Sequence, residues 1–211
     1  MLELKKGIDI LSAVGGVKSI DEARKVFEAN LDTDNLAKIN TIKNEEALLK
    51  MANSIAMCEP DNVFIISDSK ADAEYVKKRS IETGEEKPLA IKDHTIHYDL
   101  PADQGRLVKQ TYYIINEDED ISSLAKKELR SDSHAYIKEN MKGIMKGLTM
   151  YIAFLNRGPV GAQASIPALM ITSSTYVQTS GHLLYRNVYK SFDSEAKRCG
   201  TFFTNVHSQG P

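Results

Sequence analysis

Leu148-Thr149-Met150-Tyr151-Ile152-Ala153-Phe154-Leu155 is the stretch that decides the fold. From Met150 to Leu155 it is apolar without interruption, and it is the clearest strand in the chain. Arg157-Gly158-Pro159-Val160-Gly161 follows, a turn with two glycines and a proline. Residues 167–172 then make another strand, apolar at Ala168, Leu169, Met170 and Ile171. On the near side, residues 121–146 read mostly as one charged, amphipathic helix. On the far side, residues 176–189 have helical character and residues 201–206 strand character.

Working further outward, Val63-Phe64-Ile65-Ile66 is a short apolar run ending in Ser67-Asp68-Ser69. A buried strand leading into a helix start fits it best. Ala73, Val76 and Lys77 continue that helix, which ends at Gly84. Residues 89–98 look like one or two strands, residues 111–115 like another, and the acidic run 116–120 like a solvated loop. The first third reads as helical. Ser19 is placed to cap a helix with Glu22 as its capping-box partner, and Ile20, Ala23, Val26, Phe27 and Leu31 share one stripe. Asn44 starts a second helix, lined by Leu48, Met51, Ala52, Ile55 and Ala56 and stopped by Pro60. There is no internal repeat. Strands and helices mix throughout, so the expected class is α/β or α+β, a mixed β-sheet flanked by helices.

The 211 residues give enough chain for a real core. Apolar residues at 42% and charged residues at 27% make the chain globular rather than disordered. Lysine and arginine total 27 against 29 aspartate and glutamate. This balance gives no sign of the concentrated basic surface that duplex nucleic acid demands, so no nucleic-acid partner is expected. No apolar run approaches the roughly 20 residues that a bilayer requires, and the N-terminal stretch, interrupted by Asp9, is a poor signal peptide. Two cysteines, Cys58 and Cys199, exclude a disulfide framework. A cytoplasmic protein with reduced thiols and no membrane association is the expectation.

Local chemistry offers few candidates. Gly15-Gly16-Val17-Lys18-Ser19 has the residue types of a phosphate loop, but no glycine directly precedes the lysine, and no lysine follows Gly158-Pro159-Val160-Gly161. His94 and His97, three apart in chain that favours extension, fall on opposite faces of a strand and do not chelate one ion together. Cys58 ends an apolar helix face and reads as packing. Cys199, beside Lys197 and Arg198, lacks a paired base. In Asp103-Gln104-Gly105-Arg106, glycine permits close backbone approach and arginine supplies a planar fork suited to carboxylates. A solvated surface arginine is the alternative reading of Arg106.

Met145-Lys146-Gly147-Leu148-Thr149-Met150-Tyr151-Ile152, then Phe154, then Gly158-Pro159-Val160-Gly161, then Ile171-Thr172-Ser173-Ser174-Thr175-Tyr176-Val177, resembles the N-terminal domain of GTP-dependent phosphoenolpyruvate carboxykinase. The family words are M-K-G-x-T-M-Y and T-x-S-x-Y-V. A second match runs from Cys58-Glu59-Pro60-Asp61-Asn62-Val63 through Ile66 to Asp68-Ser69, and His207-Ser208 with Gly210-Pro211 resembles the turn that closes this domain. The resemblance covers residues 58–211. Leu148, Arg157 and Ser173 depart from the usual residues, which suggests a distant branch.

The resemblance implies the N-terminal lobe of a two-lobed enzyme. Such enzymes decarboxylate oxaloacetate and phosphorylate the enolate from GTP, giving phosphoenolpyruvate, GDP and carbon dioxide. It implies that Arg106, in the loop Gln104-Gly105-Arg106, grips a substrate carboxylate. It also implies that GTP, Mn²⁺ and Mg²⁺ are bound in the full enzyme with the missing C-terminal nucleotide-binding domain. None of them is expected on these residues alone, which are expected to be inactive and to carry no catalytic or metal-binding side chain. Residues 1–57 are read as a helical segment and 58–211 as the carboxykinase domain, the two together forming one continuous domain. The alternative is a stand-alone module that binds a small dicarboxylate or a partner protein.

Overall fold

The computed structural model describes residues 9–98 and 111–208. Four helices come first, α1 (Ile10–Gly15), α2 (Ile20–Asn30), α3 (Thr33–Ile39) and α4 (Glu45–Cys58). Strand β1 (Asn62–Ile66) and helix α5 (Lys70–Glu82) follow, then the short strands β2 (Lys87–Pro88), β3 (Thr95–Ile96), β4 (Tyr113–Ile115) and β5 (Lys127–Leu129). The order continues through α6 (Arg130–Met141), β6 (Thr149–Arg157), β7 (Ile166–Thr172), α7 (Thr175–Leu184), β8 (Arg186–Asn187), α8 (Phe192–Cys199) and β9 (Phe203–His207).

The apolar run around Ile152 becomes β6, the centre of a five-stranded mixed sheet ordered β1-β6-β7-β9, with β8 also pairing β6. β1 lies parallel to β6, with Asn62 opposite Thr149 and Ile66 opposite Ala153. β7 runs antiparallel to β6, with Arg157 opposite Ile166 and Tyr151 opposite Thr172. β9 is parallel to β7, so His207 stands beside Thr172. The strand is apolar from Met150 to Leu155 because both its faces are covered there. Met150, Ile152 and Phe154 join one buried cluster with Met51, Ala52 and Ile55 of α4, Phe27 of α2 and Phe192 of α8. Tyr151, Ala153 and Leu155 join the opposite cluster with Val76 of α5. Burying one such large side chain contributes about 1.5–3 kcal/mol. A T-shaped series of rings, Phe154 on Phe192 at 5.0 Å and Phe192 on Phe202 at 5.3 Å, closes the first cluster.

The helices start where the sequence caps them. Ser19 Oγ accepts the Glu22 N–H at 3.2 Å, while the Glu22 carboxylate reaches back to the Lys18 N–H at 2.7 Å, one residue earlier than the usual box. Asn44 caps α4 through the Ala47 N–H. Ala56, expected on the apolar face of α4, is exposed. The glycines at 15 and 16 form a joint. Gly15 lies so close to Asn53 that an added Cβ would stand 2.6 Å from its carbonyl oxygen, and Gly16 ends α1 at φ 79°.

β1 is an edge strand, and α3 covers its edge. The Asn35 side-chain oxygen accepts the Ile65 N–H at 2.7 Å, and Lys38 Nζ donates to the Ile65 carbonyl at 3.0 Å. The edge groups at Ile65 are thereby closed to pairing with another chain.

The sheet follows the expected strands, and the departures have local causes. The single helix expected over 121–146 divides into β5 and α6, because Lys127–Leu129 pairs in parallel with Tyr113–Ile115. α6 stops at Met141, and Gly143 and Gly147 take positive φ in the turns that lead to β6. The helix expected over 176–189 ends at Leu184, since Arg186 and Asn187 pair with Asn156 and Leu155. In the stretch 89–98 only Thr95–Ile96 is strand, paired with Lys87–Pro88. Helices α1, α3 and α8 are too short for hydrophobic periodicity to reveal.

Candidate functional site

The T-x-S-x-Y-V word lies at the corner where β7 turns into α7. Thr172 ends the strand, and its hydroxyl oxygen accepts the Ser174 N–H at 3.0 Å. Ser174 caps α7 by accepting the Val177 N–H at 3.2 Å. β9 brings His207 alongside, its Nδ1 2.9 Å from the Thr172 hydroxyl. Next to it, the Ser173 and Ser208 hydroxyls are 3.1 Å apart. Burial holds the His207 imidazole below the ordinary histidine value, with the Glu85 charge acting the other way.

Glu85 completes this corner from far along the chain. It follows Gly84, which leaves α5 at φ 79°. Its carboxylate accepts the Ser174 hydroxyl at 2.5 Å, the Thr175 hydroxyl at 2.7 Å, the Thr175 N–H at 3.1 Å and the Tyr176 N–H at 3.0 Å. An anion at the first turn of α7 also meets the positive end of the helix dipole. Burial pushes the Glu85 carboxyl up, and the bonds from Ser174, Thr175 and Tyr176 outweigh it, leaving the group below the usual glutamate value. The Glu85 carbonyl accepts His97 Nδ1–H at 2.6 Å, and the His97 ring stacks on Tyr176 with centroids 3.6 Å apart and planes 11° apart. The neighbouring Glu86 has a separate task. It is buried and takes the Ser80 hydroxyl of α5 and the Thr95 hydroxyl of β3.

The other sequence candidates fall as follows. Arg106, with Gln104 and Gly105, lies outside the described residues. His94 is exposed and its Nδ1 faces the Lys92 carbonyl at 3.0 Å, so the two histidines 94 and 97 have separate partners. Among the described residues, no group of three or more histidine, cysteine, aspartate or glutamate side chains is placed to hold a metal ion. Cys58 is fully buried, and burial pushes its thiol up to about 12. Cys199 is half-buried at the end of α8. The backbone N–H groups that follow Gly15-Gly16 are already used, Val17 by Asn53 and Lys18 by Glu22. The Gly158–Gly161 turn is held by α8. Glu195 accepts the Gly161 N–H at 3.2 Å, and Arg198 donates to the Ser165 hydroxyl at 2.8 Å.

Sequence reasoning missed Glu85. A Glu-Glu pair after a helix-ending glycine reads as solvated, and its partners at 174–176 come from another layer of the fold. Only the T-x-S-x-Y-V half of the corner carried a signal. Chemically, the described corner is a closed hydrogen-bond network. Its helix N-terminus is already occupied by a carboxylate, and beside it lies the half-buried His97–Tyr176 pair. No described helix is long and apolar enough to cross a membrane.

A profile of the phosphoenolpyruvate carboxykinase N-terminal domain matches residues 51–211. The GTP-dependent phosphoenolpyruvate carboxykinase of Pyrococcus furiosus is 37% identical over 194 residues, covering 90% of this chain and 30% of that protein. The enzymes of the same name from Thermococcus kodakarensis and Saccharolobus solfataricus are 36% and 32% identical, covering 87% and 85% of this chain. The chain therefore spans about 30% of the length of the curated relatives it matches.

Proposed function

The chain belongs to the phosphoenolpyruvate carboxykinase family as its N-terminal domain, and from that premise we propose that it supplies the substrate-gripping wall of a GTP-dependent carboxykinase. The reaction converts oxaloacetate and GTP into phosphoenolpyruvate, GDP and carbon dioxide, a step that serves gluconeogenesis in the cytoplasm. The bond from C3 of oxaloacetate to the leaving carboxylate breaks, its electron pair forms the enolate, and the enolate oxygen takes the terminal phosphoryl group of GTP.

In this reading Arg106 grips a carboxylate of oxaloacetate, or the carbon dioxide leaving it. A guanidinium meets a carboxylate with two charge-assisted hydrogen bonds and holds it while charge moves to the enolate oxygen. His97, whose ring stacks on Tyr176, precedes Arg106 by nine residues in the sequence. In this reading Mn²⁺, Mg²⁺ and GTP belong with the C-terminal domain, as the family resemblance implies, and these 211 residues alone are inactive. Residues 1–57 and 58–211 act as one continuous domain in this reading.

The observation that carries the proposal is the family match over residues 51–211, which contains Arg106. The test is Arg106→Met in the carboxykinase that contains this domain. Losing a bidentate charged pair costs about 3 kcal/mol, so kcat/KM for oxaloacetate should fall about 100-fold with an unchanged melting temperature. Unchanged kinetics would remove Arg106 from the substrate site.

A further inference from the structure

Helix α7 does not need Glu85 for capping alone. Ser174 already caps it through the Val177 N–H. The exit from α5 does not need it either, since Glu86 fastens that loop to Ser80 and Thr95. Yet Glu85 is half-buried and gathers four donors from three consecutive residues, while its own carbonyl holds the His97 ring.

These bonds have a common geometric result. Through the donors of Thr175 and the N–H of Tyr176, Glu85 holds the first turn of α7, from which the Tyr176 ring projects. Through its carbonyl, it sets the plane of the His97 imidazole. One residue thus fixes both members of the 3.6 Å stack from opposite sides. His97 directly follows β3. We propose that Glu85 is a positioning residue: its carboxylate and carbonyl together lock the Tyr176–His97 stack as a fixed wall of the oxaloacetate corner. The assignment of that corner to oxaloacetate rests on the function proposed above, whereas the lock itself rests on the geometry alone.

A carboxylate is required because all four donors point at it. One oxygen takes the N–H and hydroxyl of Thr175, and the other takes the Ser174 hydroxyl and the Tyr176 N–H. A glutamine has one accepting oxygen and must turn its NH₂ toward one of these donor pairs. An alanine satisfies neither pair.

The experiment has two readouts. In the 211-residue chain, NMR follows the His97 ring protons, which the nearly parallel Tyr176 ring shifts upfield. In Glu85→Ala that shift should vanish while the amide signals of β6 and β7 stay in place. In Glu85→Gln it should be partly lost. A wild-type His97 shift in Glu85→Ala overturns the lock. Should Glu85→Ala not fold, Glu85→Gln decides: a reduced shift supports the lock and a wild-type shift overturns it. In the carboxykinase containing this domain, Glu85→Gln should raise KM for oxaloacetate about tenfold with kcat nearly unchanged, since a misplaced wall weakens the hold on substrate. A lost His97 shift with an unchanged KM would keep the lock but overturn its link to oxaloacetate. Absence of carboxykinase turnover in the wild-type enzyme would overturn the function and leave the NMR result standing.

Discussion

Replacing Asp72 by alanine should destabilise the chain by about 3–4 kcal/mol. Asp72 lies in the first turn of α5 and is 8% exposed. Its carboxylate accepts the Ser67 N–H at 2.8 Å, the Ser67 hydroxyl at 2.6 Å and the Lys38 ammonium at 2.9 Å. Lys38 in turn donates to the Ile65 carbonyl and sits 4.5 Å from the Phe64 ring centroid. The carboxylate therefore ties α3, β1 and α5 together. Its loss leaves the Ser67 N–H unpaired in a buried setting, which costs about 1–3 kcal/mol. It also leaves a largely buried ammonium with only neutral partners, and breaking such a pair from one side costs about 3–5 kcal/mol when burial is complete. Lys38 retains 21% side-chain exposure, so solvent screening discounts the pair penalty and brings the total down to about 3–4 kcal/mol. For a chain of this length, that loss lowers the melting temperature by about 6–16 °C.

The same cluster gives a pH signature. Burial pushes the Asp72 carboxyl up, but the Ser67 and Lys38 interactions prevail and hold it below the usual aspartate value. The folded pKa is thus below the unfolded one, near 3.9. The stabilisation is fully present above the unfolded value and is lost as pH falls through the folded value. Urea unfolding followed by far-UV circular dichroism should show a constant gap between wild type and Asp72→Ala from pH 7 down to about 5, narrowing below about 4. The double variant Lys38→Met with Asp72→Ala should cost less than the sum of the two single changes, because it leaves no unpaired charge. A gap under about 1 kcal/mol at pH 7, or strict additivity in the double variant, would refute the reasoning.

Two further outcomes follow from the core and its joints. At pH 8 a disulfide reagent should modify Cys199 in the folded chain and reach Cys58, fully buried with its thiol pushed up to about 12, only after denaturant is added; fast reaction of both thiols would contradict the packing. Gly15→Ala should cost about 3 kcal/mol, since the new Cβ meets the Asn53 backbone at 2.6–2.7 Å, whereas Gly16→Ala, in open space at φ 79°, should cost about 1 kcal/mol; thermal melts that reverse this order would contradict the close contact between α1 and α4.

The sequence by itself determined the layers and the family. Met150 to Leu155 has no charged side chain and, apart from the Tyr151 hydroxyl, no polar group, so a strand covered on both faces is the stable solution. Ser19, Asn44 and Ser69 cap their helices through atoms within four residues, so local chemistry sufficed there. The M-K-G-x-T-M-Y and T-x-S-x-Y-V words carried the family because their spacing along the chain is the signal. Tertiary structure alone decided what lies between distant segments. Lys127–Leu129 became strand rather than helix because Tyr113–Ile115 stands beside it, and pairing outweighs a propensity difference of about 1 kcal/mol. Glu85 became the keystone of the Tyr176 corner because the fold places the exit of α5 against the start of α7. A carboxylate accepts whichever donors surround it, and only the folded chain specifies those donors.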